Sequence, residues 1–336
     1  MDNKIVIVRC VKNSTVTSHN FDVITDACKR LHVPVIDTTC FREALKKGMI
    51  QDVYVATTIS DVIKLHFCGR RKIFFWIQGI LPEESLMRHG KGLRFAILSY
   101  AEKKAIQYAM HVACVSQAMR EHYEKKYSID LSSKYSVFPC YNTSLVSDAF
   151  KKRDKYKNNV FVYAGGLAVW QCFDKTLAIY KKIEDLGISG TKLLVLTKNQ
   201  EQAKKLIEAQ GIVNYETGFY PKEELPKVLA DAKFGFVIRE DHPVNAVATP
   251  TKISTYLSCG LIPIFSSCIR SFKQQSEGMK YVAKMENPSD IEMITKFMTI
   301  PLSNEEVLIE YQNLYERYYS DEKYIREIGG IISNML

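Results

Sequence analysis

One alternation constrains this chain more than any other feature, and it occurs twice. Short apolar runs of strand length are each followed by apolar residues at helical spacing, and a polar break separates the two series. In the first, Ile5–Val8 reads as a strand, after which Ile24, Ala27, Cys28 and Leu31 recur as one helix face. Val33–Ile36, Val53–Ala56 and Lys72–Ile77 read as further strands. Leu93–His111 reads as a long helix, Ala113–Val115 as a strand, Gln117–Tyr127 as a helix capped by Ser116, and Tyr135–Phe138 as the last strand. Runs without polar interruption belong to strands buried on both faces, and such strands are parallel, with helices covering them.

Residues 151–159, KKRDKYKNN, carry almost no apolar content and are read as a linker. The second series follows. Its strands are expected at Val160–Tyr163, Leu193–Thr197, Phe234–Arg239, Leu261–Phe265 and Tyr281–Ala283. Its helices are expected at Phe173–Leu186, Gln200–Ala209, Lys222–Asp231 and Thr251–Cys259, with helical patterns to the end. The fold class is therefore α/β, with two Rossmann-like, doubly wound parallel-sheet domains, residues 1–150 and 160–320. The length of 336 residues fits two domains of roughly 150. In such folds ligands sit at the carboxyl ends of the strands.

Composition narrows the class. Apolar residues make up 46% and charged residues 25%, which excludes a disordered or collagen-like chain. Apolar runs such as Ile73–Ile77 fall far short of the roughly 20 residues of a membrane-spanning helix. The opening MDNKIVIVRC reads as a strand and not as a signal region. The nine cysteines are scattered without a C-x-x-C pair, so neither a disulfide framework nor a zinc cage is indicated, and a cytoplasmic location is expected. The net charge is +9, and residues 1–150 hold 21 Lys/Arg against 14 Asp/Glu. A basic front half suits a phosphorylated acceptor, an anionic membrane at its inner face, or a nucleic acid. An ordinary, mildly basic surface explains it equally well. The nucleic-acid reading rests on charge alone and lacks a recognition motif, so no nucleic-acid partner is expected.

The most informative stretch is 234–265, FGFVIREDHPVNAVATPTKISTYLSCGLIPIF. A buried strand ends in Arg239, a polar loop follows, and Thr249-Pro250-Thr251-Lys252 opens a helix. Thr249 suits the cap and Pro250 the first helical position. The amides of Thr251 and Lys252 then face outward beside the positive end of the helix dipole, an arrangement that binds anions. A merely structural capped helix explains Thr249, Pro250 and Gly260. It does not explain Arg239 facing the same loop. Dinucleotide-binding, P-loop and H-E-x-x-H motifs are absent. The seven histidines have no metal-ligand spacing.

The string NAVATPTKISTYLSCGLIPI (245–264) resembles the donor-binding segment of GT-B glycosyltransferases. The likeness is to the large retaining group of family 4, group 1 type, which includes capsule, exopolysaccharide and lipopolysaccharide enzymes. FVYAGGLAVWQ (161–171) is similar to the first strand and glycine loop of their C-terminal domain. Glu216–Phe219 and FFWIQGILPEE (74–84) extend the likeness. The resemblance implies two domains facing across a cleft, the C-terminal one holding a nucleotide-diphosphate sugar as substrate, with no cofactor and no metal. It implies Gly165 and Gly166 at the donor phosphates, Gly218, Phe219 and Tyr220 near the base, and the helix start at Thr251 on the diphosphate. It implies a closing helix, within 321–336, that crosses back to the N-terminal domain. Arg239 and Lys252 would stabilise the departing phosphate. Trp170, His242 and Asn245 would join Thr249, Pro250 and Thr251 on the donor side, and Gln78 and Gly79 would lie on the acceptor side.

Two glutamates eight positions apart are usual in this group. Val247 and Thr255 stand there instead. In related enzymes the second typically holds the ribose, so Thr255 points to a different donor, weakened turnover or a lost activity. Trp170 and Gln171 also stand where a second basic residue is usual. Glu240 and Asp241 suit sugar hydroxyls or a metal, and Glu83 and Glu84 suit an acceptor or a base. Solvated loop acids or a helix-start charge pair explain these as well. The expectation is transfer of a sugar to a glycan or lipid-linked acceptor in surface polysaccharide synthesis. The second reading is a catalytically silent sugar-nucleotide-binding homologue or partner subunit.

Overall fold

The computed structural model describes residues 3–9, 17–142, 144–221, 223–287 and 289–336. The chain divides into two compact units. The first comprises Met1–Asn142, Ala246–Thr249 and Ser320–Leu336, and the second Thr143–Asn245 and Pro250–Tyr319.

The first unit holds β1 (Ile5–Val8), β2 (Val35–Thr38), β3 (Val53–Ala56), β4 (Ile73–Ile77), β5 (His111–Cys114) and β6 (Tyr135–Val137), in the order β2-β1-β3-β4-β5-β6. Every pair is parallel. All residues of β1, β3 and β4 are buried, as continuous apolar strands require. The helix expected over Leu93–His111 ends at Tyr108. Beyond it the Met110 amide donates to the Ile73 carbonyl at 2.9 Å, so the sheet ladder takes over and His111 begins β5. Ser116 caps Gln117–Tyr127 as expected, accepting from the Met119 amide at 3.1 Å. The closing helix Asp321–Met335 packs on the helix Ser18–Lys29 within this unit. Asp321 accepts from Tyr141 Oη at 2.8 Å and meets His19 Nε2 at 2.9 Å.

The second unit holds β7 (Val160–Ala164), β8 (Lys192–Leu196), β9 (Tyr215–Gly218), β10 (Phe234–Val237), β11 (Ile262–Ser266) and β12 (Ala283–Met285), ordered β12-β11-β10-β7-β8-β9 and again parallel. Chain order reverses between β7 and β10, which are neighbours. Their carboxyl ends therefore flank the switch point where such sheets bind ligands. Edge strand β9 was not expected, because Tyr-Glu-Thr-Gly has no apolar run. The helix expected over 222–231 is confined to Leu225–Leu229, and Lys222 lies outside the described residues.

Residues 151–159 are not a linker. Lys155 and Tyr156 are buried in the second unit, with Tyr156 Oη donating to the Gly260 carbonyl at 2.7 Å and Lys155 Nζ to the Ala230 carbonyl at 3.0 Å. The aromatic body of Tyr156 and the aliphatic stem of Lys155 supply the apolar contact that the charge-rich composition conceals.

Tyr256 packs the helix Thr251–Ser258 against the sheet. Tyr256 lies against Gly235 of β10 so closely that a Cβ there would fall 2.3 Å from its ring. Its hydroxyl accepts the Ala164 amide of β7 at 2.9 Å. Gly235→Ala forces this ring away, and overpacking of that kind costs about 1–3 kcal/mol. Chemical denaturation is expected to register that loss, and an unchanged midpoint would show that the ring does not need the glycine.

Candidate active site

The site in the second unit is assembled at the carboxyl ends of β7 and β10. Gly165 and Gly166 follow β7, and a short 3-10 turn, Val169–Gln171, follows them. Ile238 and Arg239 extend β10, where the Arg239 amide donates to Ser266 Oγ at 2.9 Å. The helix Thr251–Ser258 brings Lys252. Gly165 has φ +142°, and a Cβ on it would meet Lys252 Cε at 2.5 Å. Glycine is needed there both for its backbone conformation and to admit the lysine stem.

Two cations converge on one amide oxygen. Arg239 Nη2 donates to Gln171 Oε1 at 2.7 Å and Lys252 Nζ donates to the same oxygen at 2.8 Å. Arg239 Nη1 also donates to the carbonyls of Ile238 (2.8 Å) and Gln171 (3.1 Å). Lys252 Nζ lies 4.0 Å from the centroid of the Tyr163 ring, and Tyr163 Oη donates to the Gly166 carbonyl at 2.5 Å. Arg239 is 8% exposed. Among the described residues no carboxylate pairs with either cation. Glu240, the nearest acid in sequence, is turned to Lys175 at 2.6 Å. The two nitrogens lie within about 5.5 Å of each other. Unit charges at that separation repel by about 3 kcal/mol at an effective dielectric of about 20. Burial, and then Arg239, accordingly hold the Lys252 ammonium well below the usual lysine range. Burial also lowers Arg239, which keeps its proton because a guanidinium cannot lose it in a protein.

Gln171 is the residue that sequence reasoning undervalued. It stood only as a replacement for a basic residue, yet its one oxygen holds both cations. Its position in a loop otherwise matching a phosphate-side segment was the available signal. Trp170, beside it, is partly exposed. At the helix start the expected cap is corrected. Pro250 occupies the cap position, with extended backbone, and Thr251 is the first helical residue. Thr249 Oγ1 instead accepts the Cys140 amide at 2.9 Å and belongs to the first unit. The Val247 carbonyl, likewise in the first unit, accepts from Ser116 Oγ at 2.6 Å. Thr255 Oγ1 donates back to the Thr251 carbonyl at 3.0 Å within its own helix.

Other expected donor residues serve the loop or lie apart. Asn245 is buried and its Nδ2 donates to the Glu240 carbonyl at 3.0 Å, while His242 Nδ1 accepts the Val244 amide at 3.2 Å. These bonds shape the turn between β10 and the helix. Gly218 ends β9, two strands from β7 and so about 10 Å away by strand spacing. Phe219 and Tyr220 beyond it are 51% and 39% exposed, and Lys198 Nζ lies 5.2 Å from the Phe219 ring centroid. They are not joined to the cation pair. A cleft of about 640 Å³ opens beyond β10, β11 and β12, lined in part by Lys175, Arg239, Asp241, Arg270 and Lys273.

In the first unit, Gln78 and Gly79 follow β4. The Gly79 carbonyl accepts Tyr123 Oη at 3.2 Å, and a Cβ on Gly79 would meet Glu84 Oε1 at 2.3 Å. Burial raises Glu84. Burial also acts to raise Glu83, but His122 and Lys126, 3.3 and 2.7 Å from its Oε1, outweigh it and hold this carboxyl below its usual value. Glu102, bonded to Tyr127 Oη at 2.6 Å, is pushed up by burial to about 7. Among the described residues no cluster of three His, Cys, Asp or Glu is placed to hold a metal ion.

No protein-family model and no curated protein matches this sequence. Solved structures do. Sucrose-phosphate synthase from Thermosynechococcus elongatus superposes with a TM-score of 0.74 at 12% identity, over 99% of each chain. The UDP-forming α,α-trehalose-phosphate synthase of Burkholderia xenovorans gives 0.67 at 10% identity, over 100% of this chain and 99% of that one. The chain has the GT-B fold. TarM of S. aureus, crystallised with UDP, fondaparinux and α-GlcNAc-glycerol, gives 0.64 at 10% identity. That match takes in 84% of this chain but spans only 55% of TarM.

Lys252, which pairs with no carboxylate among the described residues, makes stability depend on pH in a defined direction. Because the folded state depresses the Lys252 pKa, the unfolded chain binds more protons below the ordinary lysine value of about 10.4. The parent therefore loses stability relative to Lys252→Met as pH falls from that value, by at most about 1.4 kcal/mol per pH unit. Denaturation of both proteins at pH 9.5 and pH 7 checks this, and parallel losses would show that Lys252 is not held against its proton.

Proposed function

We propose that this chain is a glycosyltransferase that moves a sugar from a nucleotide-diphosphate donor to a glycan or lipid-linked acceptor. The observation that carries the reading is the pair Arg239 and Lys252, held on Gln171 without a carboxylate, beside the amides that open the helix Thr251–Ser258. A buried charge without a counter-charge is costly, and two are worse. A diphosphate there supplies the missing negative charge and accepts charge-assisted bonds of about 1.5–3 kcal/mol each. UDP in the TarM crystal and the UDP-forming reaction named for the Burkholderia enzyme support a nucleoside diphosphate as the ligand class.

In the transfer step the bond from the anomeric carbon to the terminal phosphate oxygen breaks, and its electron pair stays on that oxygen. Arg239, Lys252 and the helix-start amides stabilise the charge as it grows, which is where preorganised donors act most strongly. The acceptor hydroxyl oxygen forms the new bond to the anomeric carbon, and its proton passes to the departing diphosphate oxygen. Retention of configuration, metal independence, a role in surface polysaccharide synthesis and a cytoplasmic site of action belong to this proposal by resemblance. The second reading, a silent nucleotide-sugar binder, is favoured by one observation: Thr255 spends its hydroxyl on the Thr251 carbonyl and offers no carboxylate to a ribose.

Calorimetry with UDP and other nucleoside diphosphates, paired with a donor-hydrolysis assay, decides between the two. Binding with release of nucleotide supports transfer, and binding without release supports the silent homologue. Arg239→Ala or Lys252→Met is expected to raise the barrier by about 2–4 kcal/mol, on the order of 30- to 1000-fold in rate. Full activity in Lys252→Met would remove the mechanism. A diphosphate beside Lys252 also favours its charged form, so at alkaline pH, where the depressed lysine is partly neutral, binding is expected to take up a proton, read as a dependence of binding heat on buffer ionisation enthalpy. Lys252→Met should abolish that dependence.

A further inference from the structure

The helix Leu93–Tyr108 is apolar on two sides. Its inner face buries Ala105 and Ile106 and the carboxyl of Glu102. Its outer face carries Leu93, Ile97 and Tyr100, which are 77%, 57% and 66% exposed. Positions i, i+4 and i+7 lie on one side of a helix, so these three form a stripe two turns long. Single exposed leucines are common on protein surfaces, but an aligned apolar stripe of this kind marks a contact. The same helix and the turn before it carry Lys91, Arg94, Lys103 and Lys104. The one acid in residues 91–108 is Glu102, which is buried. Lys104 Nζ lies 5.6 Å from the Tyr100 ring centroid, at the edge of the stripe. Among the described residues no helix is long and apolar enough to cross a membrane.

We propose that this face docks on the surface of an anionic lipid bilayer. Leu93, Ile97 and Tyr100 enter the boundary between headgroups and acyl chains, and the flanking cations meet lipid phosphates. The pattern fits an interfacial helix, whose binding adds apolar burial to attraction for anionic lipid. Charge decides the occupant: four cations with no exposed acid among them complement a uniformly negative surface. They would repel one another across a symmetric contact with a second copy. The helix belongs to the first unit and the cation pair to the second, and none of its residues is used in the proposed sugar transfer, so the proposal does not rest on that reading.

Flotation with vesicles of phosphatidylcholine alone, and of phosphatidylcholine with phosphatidylglycerol at 3:1, tests it. The parent is expected to bind the anionic vesicles at least tenfold more tightly, and 0.5 M NaCl should weaken that binding. Leu93→Glu/Ile97→Glu should lose at least tenfold on anionic vesicles. Lys91→Glu/Arg94→Glu, which leaves the apolar stripe intact, should lose binding to the same vesicles and serves as the second arm if the first double variant unfolds. Equal binding to both vesicle types, no binding, or parent-like binding by both variants would overturn the proposal. So would a dimer in sedimentation velocity that Leu93→Glu/Ile97→Glu dissociates, since that assigns the face to a second copy.

Discussion

Two cations held against each other on the oxygen of Gln171 are the interaction around which the second unit is arranged. Neither is a comfortable neighbour for the other, and each is placed by a different device. Arg239 is fixed from behind by the carbonyls of Ile238 and Gln171 and by its own amide on Ser266. Lys252 is fixed by its helix, and the helix is fixed by Tyr256 lying on Gly235 with its hydroxyl on the Ala164 amide. Gly165 leaves room for the lysine stem. The sheet order makes β7 and β10 neighbours, so residues 74 positions apart in sequence, Gly165 and Arg239, end on one site. The repulsion persists in the fold because packing on several sides over-determines both positions.

The first unit treats charge differently. There Glu83, Glu84 and Glu102 are each governed by burial or by a cationic partner. Glu83 is held ionised by His122 and Lys126, while burial raises Glu84 and Glu102. One lysine, Lys126, reaches both Glu83 and Glu102. Carboxylates with such different proton affinities within one helix cluster are ordinary products of local partners and burial, and each follows from its own neighbours. The contrast with the second unit is instructive. In the first unit opposite charges neutralise one another, whereas in the second two like charges share one neutral oxygen and are held by packing.

Much of the fold was legible because continuous apolar strands and helical spacing are local signals. β1, β3 and the helix Gln117–Tyr127 stand where the pattern put them. Strand β9 was not, since Tyr215-Glu216-Thr217-Gly218 becomes a strand only through its pairing with β8. The linker assignment failed because composition counts the charge of Lys155 and not the burial of its stem. Arg239 and Lys252 were legible from a strand end and a helix start. The role of Gln171 was not, because a glutamine binds two cations only when topology delivers both to it. Thr249 was misread for a similar reason: its hydroxyl has two candidate partners, and the one chosen, the Cys140 amide, is 109 residues away.

The missing glutamates acquire a physical sense in this setting. A carboxylate at position 255 would stand three residues after Lys252, within the range at which side chains on one helix interact. It could then neutralise the lysine before any ligand did. Threonine there bonds back to its own helix, so it adds no charge. At position 247 the side chain is buried, where an ionised group would incur the cost of desolvation. The replacement at position 255 therefore adds no negative charge to the helix that carries Lys252. Under the proposed function, a site built in this way gains most from phosphate charge, because its two cations and helix-start amides are the groups it offers to a ligand.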